Sequence, residues 1–182
     1  MKEASGVTIE PIDQRHTETV QQFCSDPAIG KMSQVPSPYP PDGAEVWIRD
    51  TLARRMRGTE YAFAIRNAEA DFVGVCTLME VSRLKKTAVF GYWIAKPFWN
   101  RGYATAGARQ VLRYGFERLG VQKVHASCMD RNAASYRVLL KMGFRFVKST
   151  PTHKPGWSPL EKTSVFELCR KDFEAAAKAS AP

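Results

Sequence analysis

Asn100, Arg101 and Gly102, followed by Tyr103, Ala104 and Thr105, combine residue types that bind anions. A glycine lets the chain turn tightly into a helix. The first N–H groups of that helix then have no intrahelical partner, and the positive end of its dipole favours phosphate. Arg101 adds a permanent cation with a fork of donors. Two commoner phosphate loops are excluded: no G-x-G-x-x-G follows the first strand, and no G-K-S or G-K-T occurs. Taken alone, a glycine between a strand and a helix is equally compatible with an ordinary turn.

The neighbouring residues supply elements that would position such a site. Gly91 to Ala95 is apolar and aromatic enough for a buried strand, and Pro97 stops it. From Ala104 onward, Ala108, Val111, Leu112, Gly115 and Leu119 recur at helical spacing. Val124 to Met129 reads as a short strand, and Asn132 is a good N-cap for a helix ending at Met142. Gly143 then suits the left-handed position past that helix, before a strand begins at Phe144.

The R-G-Y-A-T turn (Arg101 to Thr105) and the N-x-x-S-x-R-V-L-x-K-x-G-F run from Asn132 to Phe144 closely resemble the GNAT superfamily of acyl-CoA-dependent N-acetyltransferases, in its ribosomal-protein N-terminal acetyltransferase branch. Ser25-Asp26-Pro27, Pro36 to Pro40 and Ala44 to Ile48 are similar to the same branch, so the resemblance spans roughly Val7 to Phe173. It implies an α/β fold: a mixed, mostly antiparallel twisted sheet, helices on both faces, and a central splay between two parallel strands. Those strands would be Gly91 to Ala95 and Val124 to Met129. The implied activity is transfer of an acetyl group from acetyl-CoA to a primary amine, on a protein N-terminus or a small molecule, with no metal.

By the same resemblance, Trp93, Ile94 and Ala95 would pair through their main chain with the pantetheine arm, and Asn100, Arg101, Gly102, Tyr103, Ala104 and Thr105 would cradle the pyrophosphate. Asn132 would meet the pantetheine amides or serve as a plain N-cap. Arg137 and Lys141, one turn apart, would reach the adenosine 3′-phosphate or simply be solvated. Where much of the superfamily carries a proton-donating tyrosine, this chain has Leu139. Ser135, one turn earlier on the same face, inherits that role, or else bonds to backbone at the start of its helix. Where relatives carry a glutamate base before the G-Y-W, this chain has Val89. Glu80 on the neighbouring strand is the substitute, unless it pairs with Arg83 or Lys85. Tyr39 and Trp47 would border the acceptor groove. The missing tyrosine and glutamate motivate an alternative, a CoA-binding or interaction module without turnover.

The rest of the chain fits this frame. A first strand is expected over Val7–Ile12, helices over Thr17–Asp26 and Asp42–Gly58, and a meander over Tyr61–Arg66, Asp71–Ser82 and Thr87–Ala95. The second helix would turn Trp47, Ile48, Leu52 and Met56 to one side. A proline loop (Ser33–Asp42), a proline-rich excursion (Pro151–Pro159), a last strand (Ser164–Arg170) and a frayed tail from Ala175 complete the reading. At 182 residues the chain reads as one domain over 1–173, with 174–182 a flexible C-terminal tail. Four scattered cysteines without C-x-x-C argue against zinc or a disulfide framework. No secretory leader or membrane span is expected, which fits a reducing cytoplasm and a monomer or homodimer. The formal charge of +9, concentrated around Arg49, Arg54, Arg55 and Arg57 and around Arg83, Lys85 and Lys86, aids solubility or attracts an acidic or ribosomal partner. No aromatic-interleaved basic motif points to direct nucleic-acid readout.

Overall fold

The run Tyr61–Arg66 is apolar at nearly every position, as a strand must be when both faces of its sheet are covered. In the computed structural model, which describes residues 4–152, 158 and 160–179, it is the second strand of a seven-stranded sheet. The strands are β1 (Thr8–Pro11), β2 (Tyr61–Arg66), β3 (Phe72–Ser82), β4 (Thr87–Ile94), β5 (Lys123–Met129), β6 (Arg145–Pro151) and β7 (Lys162–Cys169), in the order β1-β2-β3-β4-β5-β7-β6. Every neighbouring pair is antiparallel except β4 and β5, which are parallel. The mixed, mostly antiparallel α/β architecture expected from the sequence is therefore present.

The helices are α1 (Thr17–Cys24), α2 (Pro27–Met32), α3 (Gly43–Met56), α4 (Tyr103–Glu117), α5 (Ala133–Lys141) and α6 (Arg170–Ala179). Strand alternation separates two cores. Phe63 and Ile65 of β2 join Val111, Leu112 and Phe116 of α4 on one face. Ala62 and Ala64 meet Val20 of α1 and Ile48 of α3 on the other. The charged residue at the head of β2, Glu60, is 5% exposed, and Arg54 and Thr51 of α3 donate to its carboxylate at 3.1 and 3.2 Å. A buried carboxylate so partnered ties α3 to the sheet.

Three details depart from the sequence reading. Helix α2 occupies residues between the expected first helix and the proline loop, to which no element was assigned; its signal was Asp26, whose side chain accepts from Ala28 N–H, with Pro27 in the first turn. Met56, expected on the same side of its helix as Ile48, is 89% exposed, because the buried residues of α3 are Ala44, Ile48 and Thr51. A helix, α6, runs through Ala179 where a tail was expected from Ala175. Phe173 anchors it, 5.2 Å from the Phe116 ring, and a run of strong helix formers extends it. The proline-rich excursion falls largely outside the described residues, since 153–157 and 159 are not among them.

Gly74 of β3 lies where β4 passes closest. A Cβ there would collide with the carbonyl oxygen of Trp93 and stand 2.9 Å from Ile94 Cα, both main-chain atoms that cannot swing aside. Gly74→Ala should lower stability by about 2–3 kcal/mol, measured by urea denaturation, whereas a change at solvent-exposed Leu84 should stay within about 0.5 kcal/mol.

Candidate active site

The parallel ladder between β4 and β5 is short. It pairs Thr87–Phe90 with Lys123–Ala126 and then ends, so Gly91–Ile94 and Ser127–Met129 diverge. Ala95 N–H donates to Val73 O at 2.9 Å. By the alternation of an antiparallel ladder, the main chain of Trp93 turns the same way, toward β3, and that of Tyr92 and Ile94 turns toward the gap. The gap opens into a cavity of about 1040 Å³. At one end stands the start of α4. There Asn100 and Gly102 hold left-handed backbone, with φ of +60° and +85°, and no side chain caps the helix. The Tyr103, Ala104 and Thr105 amides thus face a wall that also includes Asn100 and Gly102.

The expected cofactor residues come together, with corrections. Trp93 lines the cavity through its ring, but its main chain belongs to β3. Ala95 is spent on both sides, since its carbonyl accepts from Phe98 N–H at 2.9 Å. Ile94 does border the gap, where its carbonyl accepts from Trp99 Nε1 at 2.6 Å. Arg101 stands outside the wall, its guanidinium 6.0 Å from the Phe98 ring centroid. Asn132 is an N-cap: its Oδ1 accepts from Ser135 N–H at 3.0 Å, and its Nδ2 donates to Met32 O at 2.9 Å. Exposed Arg137 and Lys141 border the cavity from α5.

Glu80 does not join them. It is exposed, sits at a register irregularity of β3 with φ of +50°, and is absent from the cavity wall. The bulge that interrupts β3 after Met79 moves it away from the positions lined by Val75, Thr77 and Met79. Asp42, exposed at the rim, is the sole carboxylate of that wall among the described residues. Tyr39 and Trp47 do line the cavity, and the Tyr39 hydroxyl hydrogen-bonds the Cys24 thiol. Burial pushes the Cys24 thiol up to about 12 and the Tyr39 phenol well above its usual range.

A residue the sequence reading passed over completes the centre. Tyr92 Oη donates to Ser135 Oγ at 3.1 Å, joining β4 to α5 across the gap. Burial raises the Tyr92 phenol well above its ordinary value, so it remains a donor. Cys128, on β5, is raised by burial to about 11, an effect opposed by a hydrogen bond with Ser135. The signal for Tyr92 was strand alternation. In Phe90-Gly91-Tyr92-Trp93, Phe90 and Tyr92 share the α4/α5 face, which also carries Leu139, while Trp93 takes the other. The phenol missing at Leu139 is thereby present on the strand opposite. Tyr136, by contrast, packs edge-on to Phe166 at 5.0 Å.

An anion-ready helix start, an open strand edge and a pair of neutral hydroxyls therefore share one elongated cavity. They fit a long ligand with an anionic end and an amide-bearing middle. A profile of the acetyltransferase (GNAT) domain matches residues 7–145, and the chain belongs to the GNAT family. The FsC-acetyl coenzyme A-N(2)-transacetylase of Aspergillus fumigatus is 30% identical over 149 residues, covering 76% of this chain and 62% of that protein. The probable N-acetyltransferase YjcK of Bacillus subtilis is 33% identical over 108 residues, 58% of this chain and 60% of its own. The chain thus spans about three fifths of the length of these curated relatives. The putative ribosomal N-acetyltransferase YdaF of Bacillus subtilis is 32% identical over 76 residues, 42% of either chain. In fold, the chain is similar to spermidine N-acetyltransferase from Vibrio cholerae, solved with CoA and spermine: TM-score 0.83, 16% identity, 93% of this chain and 99% of that one.

Asn132 caps α5 and holds the end of α2 with one side chain. Asn132→Ala should cost about 1–2 kcal/mol, read by denaturation. Asn132→Asp, which keeps the cap but loses the donor to Met32 O, should recover part of that loss.

Proposed function

We propose that this protein moves an acetyl group from acetyl-CoA to a primary amine by direct attack of the amine on the thioester. The observation that carries the reading is the placement of the free α4 amides, the open β4 edge and the Tyr92–Ser135 pair along one cavity. Acetyl-CoA supplies the activated thioester carbonyl and a pyrophosphate handle. The Tyr103–Thr105 amides hold that handle, Arg101 lends charge from the rim, and Arg137 and Lys141 take the terminal phosphate. The inward main chain of Tyr92 and Ile94 binds the amides of the pantetheine arm as an added strand would. Tyr92 donates to Ser135 Oγ, so the serine's own proton, which otherwise faces the Cys128 thiol, is the one to pass to the departing sulfur.

With Glu80 remote, the base is water, and the acceptor that loses its proton most readily is favoured. An α-amine, with a reference pKa of about 8 against about 10.4 for lysine, meets that condition. We place the chain in the ribosomal-type branch. The Asn132–Phe144 run, the Pro36–Pro40 segment and the identity to the putative ribosomal enzyme support this. A reducing cytoplasmic setting accords with four unpaired cysteines. Of the basic α3 face, Arg54 is engaged by Glu60 and Arg55 lies over the Tyr61 and Phe63 rings. An acidic or ribosomal partner would thus meet mainly the exposed turn carrying Arg83, Lys85 and Lys86.

Calorimetry should detect saturable acetyl-CoA binding, weakened at least about tenfold, or about 1.4 kcal/mol, by Gly102→Glu. Equal binding by both proteins refutes the site. Tyr92→Phe and Ser135→Ala should each lower kcat about tenfold while leaving the KM for acetyl-CoA unchanged. The double variant should be no slower than Ser135→Ala alone, because the two hydroxyls act as one unit. With wild-type protein and an α-amine acceptor, kcat/KM should rise with pH up to about pH 8, as the neutral amine accumulates.

A further inference from the structure

The half of the cavity beyond the Tyr92–Ser135 pair is walled by a different part of the chain. Val20 of α1, Ile29 and Met32 of α2, Val35 of the proline loop, and Val46 and Trp47 of α3 face it, with the Trp93 ring closing the sheet side. The polar groups among them are neutral: the Cys24 thiol is held protonated by burial and hydrogen-bonds the Tyr39 hydroxyl, itself protonated. Among the described residues the single carboxylate of this wall, Asp42, is exposed at the rim. The net charge of +9 disfavours a further positive charge.

We propose that the acceptor is a primary amine carried on an apolar body, aromatic or branched aliphatic, and not a polycation. This rests on the transferase reading and deepens it. An apolar body is favoured because it covers the valine, isoleucine, methionine and tryptophan surfaces and removes them from water. A polyamine would bring several ammonium groups to walls whose one carboxylate among the described residues, Asp42, lies exposed at the rim, a costly transfer for the charges that pass it. The same walls serve the chemistry. An ammonium drawn into apolar surroundings loses hydration, so its pKa falls and the neutral, nucleophilic form gains. Where no carboxylate base stands, the apolar wall eases deprotonation of the attacking amine. The spermidine enzyme that shares this fold acts on a substrate of the opposite kind, so within one architecture the acceptor wall decides.

The test is an acceptor panel with acetyl-CoA, following thiol release: 2-phenylethylamine and isoamylamine, peptides with a free N-terminal Phe or Leu, peptides beginning with Asp or Lys, and spermidine. The two apolar arms separate a free amine from a peptide N-terminus as the source. At least one apolar arm should exceed spermidine in kcat/KM by about tenfold or more. Val46→Asp, or Val35→Asp should the first fail to fold, should narrow that ratio by lowering apolar-amine use and raising spermidine use. Tryptophan fluorescence gives binding without turnover, since Trp47 and Trp93 line the wall. Perturbation by phenylethylamine but not spermidine supports the assignment even if no acceptor is acetylated, a result that removes the transferase reading alone. Spermidine used or bound as well as the apolar amines, or no binding by either class, overturns it.

Discussion

The whole arrangement depends on where one parallel ladder stops. β4 and β5 stay paired from Thr87 to Phe90 and then part, and nearly every feature of the site is a consequence. The separation turns the main chain of Tyr92 and Ile94 toward open space in the middle of a sheet, where strand edges are otherwise consumed. A buried amide left without a partner costs about 1–3 kcal/mol, so such an edge persists only where something recurrently satisfies it, and a ligand bearing amides does so. The same parting makes room for the Tyr92 phenol to reach Ser135 from the strand side, and it aims the uncapped start of α4 along the gap. Helix, strand edge and hydroxyl pair are thus three outcomes of a single break in pairing.

The chemistry assembled there uses neutral groups. The phenol and the thiols are held in their protonated forms, mainly by burial. Proton donation and hydrogen-bond stabilisation are consequently available there at any ordinary pH, and among the described residues no buried carboxylate lines the cavity to take up a proton. A site of this kind is tuned by dielectric more than by paired charges.

How far the sequence discloses this depends on which signals are local. The uncapped helix start at Tyr103 was legible because glycine, helix periodicity and their order lie within a few residues, and Asn132 declared itself as a cap in the same way. The antiparallel meander and the parallel pair were legible through the succession of elements and the resemblance it carried. What stayed hidden needed distance or direction. Tyr92 meets Ser135 only through the packing of α5 on the sheet. The idle main chain of Ala95 follows from its bond to Val73, which no spacing reports. Glu80 was misplaced by a bulge that shifts strand phase without a glycine to announce it. Helix α6 was missed because Phe173 gains its anchor only from the remote Phe116.

The hydrogen bond from Asn132 to Met32 O, seconded by Arg131 Nη2 donating to Lys31 O at 2.9 Å, bears on how such a protein diversifies. The wall proposed for the acceptor comes largely from residues 17–56, contiguous in the chain, and that proposed for the donor largely from residues 87–141. On that reading, substitutions in the first stretch would reshape what is recognised without disturbing what is delivered. The clasp at α2 and α5 is an exception, because it draws on both. There a change in taste would have to be negotiated with the machinery that acts on it, which keeps two otherwise separable histories in register.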